Sequence, residues 1–180
     1  MSRVEELGDD EIDEAARDAF AGFARAGRKP IALYRVLANA PTLVGGFRGI
    51  GAAIRSGTQL DRALIELIIL RIGQLTGSAY VWNHHRGPAR GAGAPDEKVD
   101  HLANRLDHPQ LYSAAEHAAL DIADAVHDIA VTDDAFTRLR EHFSPRQATE
   151  VIALASHYES LARIMQGLAI DLEPEYRSVD

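Results

Sequence analysis

The sequence predicts an all-α fold, a bundle of about eight or nine helices with no sheet. Three observations carry this. Apolar residues recur at helical spacing along most of the chain, and strand-like alternation is missing. Two capping boxes, Ser113-Ala114-Ala115-Glu116 and Ser144-Pro145-Arg146-Gln147, mark helix starts. Glycine and proline gather at the breaks between apolar stretches.

The elements follow in order. Asp9-Asp10 opens a helix through about Arg25, with Ile12, Ala15, Ala16, Ala19, Phe20 and Phe23 as its stripe. Gly27-Arg28-Lys29-Pro30 breaks it, and Pro30 suits the first turn of a second helix to Ala38. Pro41 starts a third, to about Arg55, whose glycines lower its propensity or permit close packing. Leu60 to Thr76 is a strongly apolar helix ended by Gly77. Ser78 begins the next, which runs to Ala92 with a kink at Gly87-Pro88. A short helix from Pro95 reaches Arg105, Ser113 caps one to Asp128, and Thr132 caps one through Phe143. Ser144 launches the longest helix, to about Ile170, with Val151, Leu154, Ala155, Tyr158, Leu161, Ala162, Met165 and Leu168 on one stripe.

A chain of 180 residues suits one domain, expected over 1–180, with an N-terminal helical segment at 1–28, a core at 30–172 and a loose tail at 173–180. Apolar residues make up 46% and charged residues 26%, which reads as globular and soluble. The net charge of −8 and the scattered arginines argue against nucleic-acid binding. Cysteine is absent, which removes disulfides, thiolate metal sites and thiol catalysis. The polar, acidic start Met1-Ser2-Arg3-Val4-Glu5-Glu6 does not resemble a targeting peptide, and no run approaches the roughly 20 apolar residues of a membrane span. No membrane association and a cytoplasmic location are expected.

Function is suggested by a misplaced acid. Glu66 lies inside Leu64-Ile65-Glu66-Leu67-Ile68-Ile69-Leu70, where every side of the turn is apolar. A buried carboxylate costs several kcal/mol unless it is paired. Twelve residues later comes Ser78-Ala79-Tyr80-Val81-Trp82-Asn83-His84-His85. At about 100° per residue, Ser78, Val81, Trp82 and His85 share one helix face, and Tyr80 and His84 share another. A histidine from this helix is a candidate partner for Glu66. Arg62, one turn back, and Arg71 are the competing structural partners. Taken singly, His84 and His85 read as surface or satisfied core histidines, Trp82 as core, and Gly87-Pro88 as a kink. His117 and Asp121 read as a solvated i, i+4 pair. Of His157 and Tyr158, one should face the core and the other not. Adjacent histidines on a helix chelate poorly, there is no His-Glu-x-x-His, and no metal is expected.

These residues resemble the carboxymuconolactone decarboxylase family, which includes the alkylhydroperoxidase D branch. The redox branch carries a glutamate and, twelve residues later, the start of Cys-x-x-Cys-x-x-x-His. Here Glu66 matches the glutamate and His85 the histidine, Ser78 and Val81 stand where the cysteines would be, and Tyr80 falls where that branch can carry another histidine. Leu60-Asp61-Arg62 through Arg71, Leu75-Thr76-Gly77 and Trp82-Asn83-His84-His85 look like the family core. Tyr34 to Pro41 and Ser144 to Leu172 look like its upstream and closing helices, so the resemblance covers about residues 30–172. It implies an alkylhydroperoxidase D-like helical bundle and a homo-oligomer: a trimer, a hexamer or a dimer.

Thiol peroxidase chemistry needs a thiolate and a resolving thiol, and neither serine nor valine can serve. Glu66 and His85 remain as an acid–base pair, with Tyr80 beside them as the third catalytic candidate. A carboxylate on one imidazole nitrogen fixes the tautomer and readies the other nitrogen to move a proton. Such a histidine could protonate the carbanion left when a carboxylated lactone loses carbon dioxide. Amides and the hydroxyl at Ser78 could hold developing oxyanion charge, and Trp82 and His84 complete the expected substrate-binding set. Ser78 is no hydrolytic nucleophile, because about 10 Å of helix rise separates it from His85. The expected protein is thus a cofactor-free lyase acting on a small molecule. The alternative is a non-enzymatic ligand-binding or assembly protein on a decayed scaffold.

Overall fold

The computed structural model describes residues 2–177, and these contain nine α-helices and no strand. In chain order they are α1 (Glu14–Arg25), α2 (Ala32–Leu37), α3 (Pro41–Gly57), α4 (Arg62–Leu75), α5 (Ala79–Gly91), α6 (Asp96–Asp100), α7 (Ala114–His127), α8 (Asp133–His142) and α9 (Pro145–Gly167). Residues 178–180 of the expected loose tail lie outside the described residues. Residues 174–176 form a 3-10 turn, and Glu173 accepts a hydrogen bond from the Ala32 amide at 2.7 Å. Among the described residues no helix is long and apolar enough to cross a membrane.

The chain divides into two compact units. The first joins residues 1–56 to residues 164–180. Its helix α1 starts four residues later than the acidic pair at 9–10 suggests. Asp13 is the actual cap, accepting from the Ala15 amide at 2.8 Å, while Gly8 to Glu11 close a separate turn. Ala15, placed on the apolar stripe by its spacing, is exposed. Phe23 packs on Tyr34 with ring centroids 4.8 Å apart, and the Arg48 guanidinium lies over Phe23 at 5.1 Å, which ties α3 to α1.

The second unit, residues 57–163, is built on α4, which packs against α5 and α7, with α8 against α7. Residues 64–70 of α4 are all buried, as their unbroken apolar run requires. The α4–α5 corner is a Schellman stop. Gly77 takes φ +64°, and the Ser78 amide returns to the Gly73 carbonyl at 2.8 Å. The two helices then run very close: a Cβ on Gly73 would lie 3.2 Å from the Trp82 amide nitrogen and from Val81. Pro88 sits inside α5 without ending it.

Between α6 and α7 the expected helix to Arg105 stops at Asp100 and gives way to two 3-10 turns. Arg105 turns inward there. It is 3% exposed and donates to Asp121 at 2.6 Å and to Asp124 at 2.8 Å, while Arg71 holds Asp124 through two hydrogen bonds. Burial pulls the Arg105 guanidinium down, but the two aspartates more than offset this and hold it above its ordinary value. The expected His117–Asp121 pair is therefore not a solvated one. Both side chains meet Arg105, and His117 Nε2 also lies 3.1 Å from the Pro109 carbonyl. On α9, His157 and Tyr158 are both buried, because this helix is covered on more than one side.

The capping box that starts α7 forms as read, with Ser113 and Glu116 exchanging hydrogen bonds. Glu116 also takes the Lys98 ammonium at 2.5 Å, and the Tyr112 hydroxyl donates to the Lys98 carbonyl at 2.6 Å. Burial pushes the Tyr112 phenol up to about 12. Burial also raises the Glu116 carboxyl, but Lys98 and the Ser113 donors outweigh it, so the net shift is downward. A lowered carboxyl supplies stability that is full above the unfolded value of about 4.3 and is lost as pH falls through the folded value. Glu116→Gln should accordingly be less stable than wild type in urea at pH 7, with the gap closing as the titration moves below about pH 4.

Candidate active site

The site is built on the facing sides of α4 and α5. Glu66 is 0% exposed, and its two oxygens go to different partners. One accepts from Arg62, one turn back on α4. The other lies 2.7 Å from His85 Nδ1 on α5. Two of the three candidate partners for Glu66 are thus used. Arg71, the third, is committed to Asp124. The His85 ring is 19% exposed and meets the edge of Tyr158 on α9, 5.1 Å between centroids at 90°. With Nδ1 on the carboxylate, Nε2 is the ring atom that can trade a proton with a bound molecule.

The other expected residues lie on α5 or at its cap. Tyr80 is 7% exposed and stacks on His84 at 4.3 Å and 15°, as their four-residue spacing on one face implies. Trp82 is half-buried, with the Arg86 guanidinium 5.9 Å from its ring. Ser78 is 4% exposed and caps α5, its oxygen accepting from the Val81 amide at 3.3 Å. That bond uses the oxygen expected to meet substrate, and it fixes where α5 begins.

The sequence reading did not single out Tyr158 as a neighbour of His85. It also missed a second glutamate–histidine–arginine arrangement. Glu159 on α9, 6% exposed, takes His127 Nδ1 at 2.5 Å and Arg163 Nε at 3.1 Å. The i, i+4 spacing of Glu159 and Arg163 was the available signal; the third member, at the end of α7, was not foreseeable from spacing. His127 sits in the last turn of α7, where a cation is favoured by the helix dipole, which suits a structural tie between α7 and α9. An opening of about 550 Å³ lies elsewhere in the second unit, lined by Leu60, Asp61, Leu64, Glu116, Phe143 and Gln147 among others, and includes neither Glu66 nor His85. Among the described residues no group of three or more His, Asp or Glu could hold a metal ion.

The fold is that of the alkylhydroperoxidase D-like helical proteins. Residues 41–125 match the model of the carboxymuconolactone decarboxylase family. The chain is similar to that family over this segment, just under half of its length, and it contains no cysteine. An uncharacterised Bacillus subtilis protein, YdfG, is 29% identical over 112 residues, 59% of this chain and 74% of that protein. A protein of unknown function from Agrobacterium tumefaciens, proposed to be the antioxidant defence protein AhpD, superposes with a TM-score of 0.71 at 25% identity, covering 76% of this chain and 94% of that one. A debrominase in its apo form superposes with a TM-score of 0.80 at 21% identity over 97% of this chain and 94% of its own. A cysteine-to-alanine variant of that debrominase is also known with 2,3,4-tribromopyrrole bound.

Removing the Glu66 carboxylate leaves two donors facing an apolar hole. Glu66→Ala should cost about 3 kcal/mol in chemical denaturation, and Glu66→Gln clearly less, since the amide keeps the volume and one acceptor.

Proposed function

We propose that this protein is a cofactor-free acid–base enzyme acting on a small molecule, in which Glu66 and His85 carry out decarboxylation or proton transfer on a carboxylated lactone or a related compound. The observation that carries the reading is the 2.7 Å contact between a fully buried carboxylate and Nδ1 of a partly exposed imidazole. Glu66 holds the ring by one nitrogen and selects its tautomer. Arg62 holds the second carboxylate oxygen, which makes it a positioning residue rather than a reacting one.

In decarboxylation the bond between the substrate carbon and its carboxylate breaks, carbon dioxide leaves, and the electron pair stays behind as an enolate conjugated to the lactone carbonyl. The protonated His85 ring delivers the Nε2 proton to that carbon and is left neutral, with Nδ1–H still on Glu66. Water then returns the proton. Tyr80 is the remaining catalytic candidate, and Trp82 and His84 supply aromatic and polar surface on the same helix. The neighbouring debrominase takes a small ring compound, in keeping with a compact substrate here. Its complex was obtained by removing a cysteine, and a chain with none must work differently from a thiol enzyme.

A non-enzymatic reading also has an observation behind it. Arg62 already meets one oxygen of Glu66, so the buried acid has a structural partner independent of any substrate. In that reading the chain is a ligand-binding or assembly protein on a decayed enzyme scaffold.

The two separate in one assay. Carboxylated lactones are screened for carbon dioxide release and for deuterium uptake from heavy water. His85→Gln should lower turnover of any active compound by ~10²–10⁴-fold, compared under conditions where circular dichroism shows the variant folded, since it also takes a partner from buried Glu66. Unchanged turnover in that variant removes His85 from the chemistry. Ligands that bind the protein without disturbing the His85 ring resonances would favour the non-enzymatic reading.

A further inference from the structure

One hydrogen bond does not fix an imidazole. His85 Nδ1 lies 2.7 Å from Glu66, and a flip of the ring would put a carbon where that nitrogen stands. The flip loses the bond to a buried acid and is barred. A tilt is not barred. The last torsion of a histidine is a broad well, so the ring can rock about its single bond to the carboxylate. Rocking swings Nε2, the nitrogen that Glu66 does not hold. A displacement of about 1 Å at a reacting atom can cost on the order of 100-fold in rate. A ring that is to present Nε2 in one place therefore needs a second contact.

Tyr158 supplies that contact from another helix. Its ring stands at 90° to the imidazole with centroids 5.1 Å apart. This is a geometry that aromatic pairs prefer, and it favours the paired orientation by roughly 2- to 10-fold over an unpaired ring. Tyr158 is itself firmly held. It is 5% exposed, and Leu154, Leu161 and Ala162 on the same helix are buried with it. His157, also buried, stands nearly perpendicular to the Tyr158 ring, at 5.5 Å and 82°. His85 is thus met from α4 through its nitrogen and from α9 through its ring, and all three helices belong to the second compact unit.

We propose that Tyr158 is a positioning residue for His85. Its perpendicular ring fixes the imidazole plane while Glu66 fixes the nitrogen, and Nε2 is held in a single direction. Tyr158 does this with its ring and not with its hydroxyl, and it moves no proton. The use of that direction in catalysis rests on the reading of His85 as the proton donor. The fixing of the ring does not.

Nuclear magnetic resonance of the full chain with isotope-labelled histidine tests it, the His85 signals being those absent from His85→Gln. Wild type should show one neutral tautomer, protonated at Nδ1, and a ring as ordered as rigid backbone, with an order parameter of about 0.85. Tyr158→Leu and Tyr158→Met remove the ring and keep an apolar side chain. Under conditions where circular dichroism shows them folded, the His85 order parameter should fall below about 0.6. The tautomer should stay as it is, because Glu66 sets it. For an active compound, kcat should fall about 10- to 100-fold with KM little changed. Tyr158→Phe keeps the ring and should rescue both the ring order and most of the lost turnover.

A mobile His85 ring in wild type overturns the proposal even where no ring-less variant folds. So does a His85 that stays ordered in the ring-less variants, or one that is as loose in Tyr158→Phe as in Tyr158→Leu. Unchanged kcat in the ring-less variants, with His85→Gln impaired, overturns it as well. If His85→Gln turns over as fast as wild type, the proton-donor reading fails instead, and the ring-order measurements still decide the role of Tyr158.

Discussion

Glu66 imposes the strictest condition on the second unit. Helix α4 is buried on every side from residue 64 to residue 70, and a carboxylate in that stretch must have both oxygens met. One is met locally by Arg62. The other requires a donor from another helix at hydrogen-bond distance, which sets how near α5 must run and how it is turned. The corner delivers this: Gly77 reverses the chain, Ser78 caps the new helix at its first amides, and Gly73 lets the Val81–Trp82 backbone come within contact. His85, two turns along, then reaches the buried acid. Site and fold therefore share one cause, because the residues that place α5 also place the imidazole.

The same unit solves its other buried charges in the same way. Arg105 is matched by two aspartates, and Glu159 by a histidine and an arginine. A glutamate shared between a histidine and an arginine is therefore not distinctive here, since it occurs twice. What distinguishes Glu66 and His85 is total burial of the acid on a helix inside the family-matched segment, and an aromatic wall at Tyr158. The pair at His127 and Glu159 lies at a helix end, where an ion tie is mechanically useful without any chemistry.

Much of this was legible in the sequence. Helical period, capping boxes and glycine–proline breaks located the elements, and a lone acid in an apolar run pointed to the buried Glu66–His85 contact. The errors share a physical character. Helix α1 began late because Asp13 competes with earlier aspartates as a cap, and spacing does not rank such competitors. Helix α6 stopped early because Arg105 is drawn inward by Asp121 and Asp124, more than a dozen residues away in sequence. His157 and Tyr158 are both buried because α9 is packed on several sides, which a single-stripe reading does not foresee. Local patterns report local structure, while ion pairs between distant helices depend on a fold that must already exist.

Ser78 and Val81, the two positions that the resemblance sets against the thiols of the redox branch, are structural parts of this fold. Ser78 is a helix cap at 4% exposure, and Val81 is 2% exposed where α5 meets Gly73. A sulfur put back at either position would be shut away from solvent and from any peroxide, and at Ser78 it would also weaken the cap. Thiol chemistry at this corner would therefore require more than a substitution: the α4–α5 packing would have to be rebuilt before a cysteine there could act.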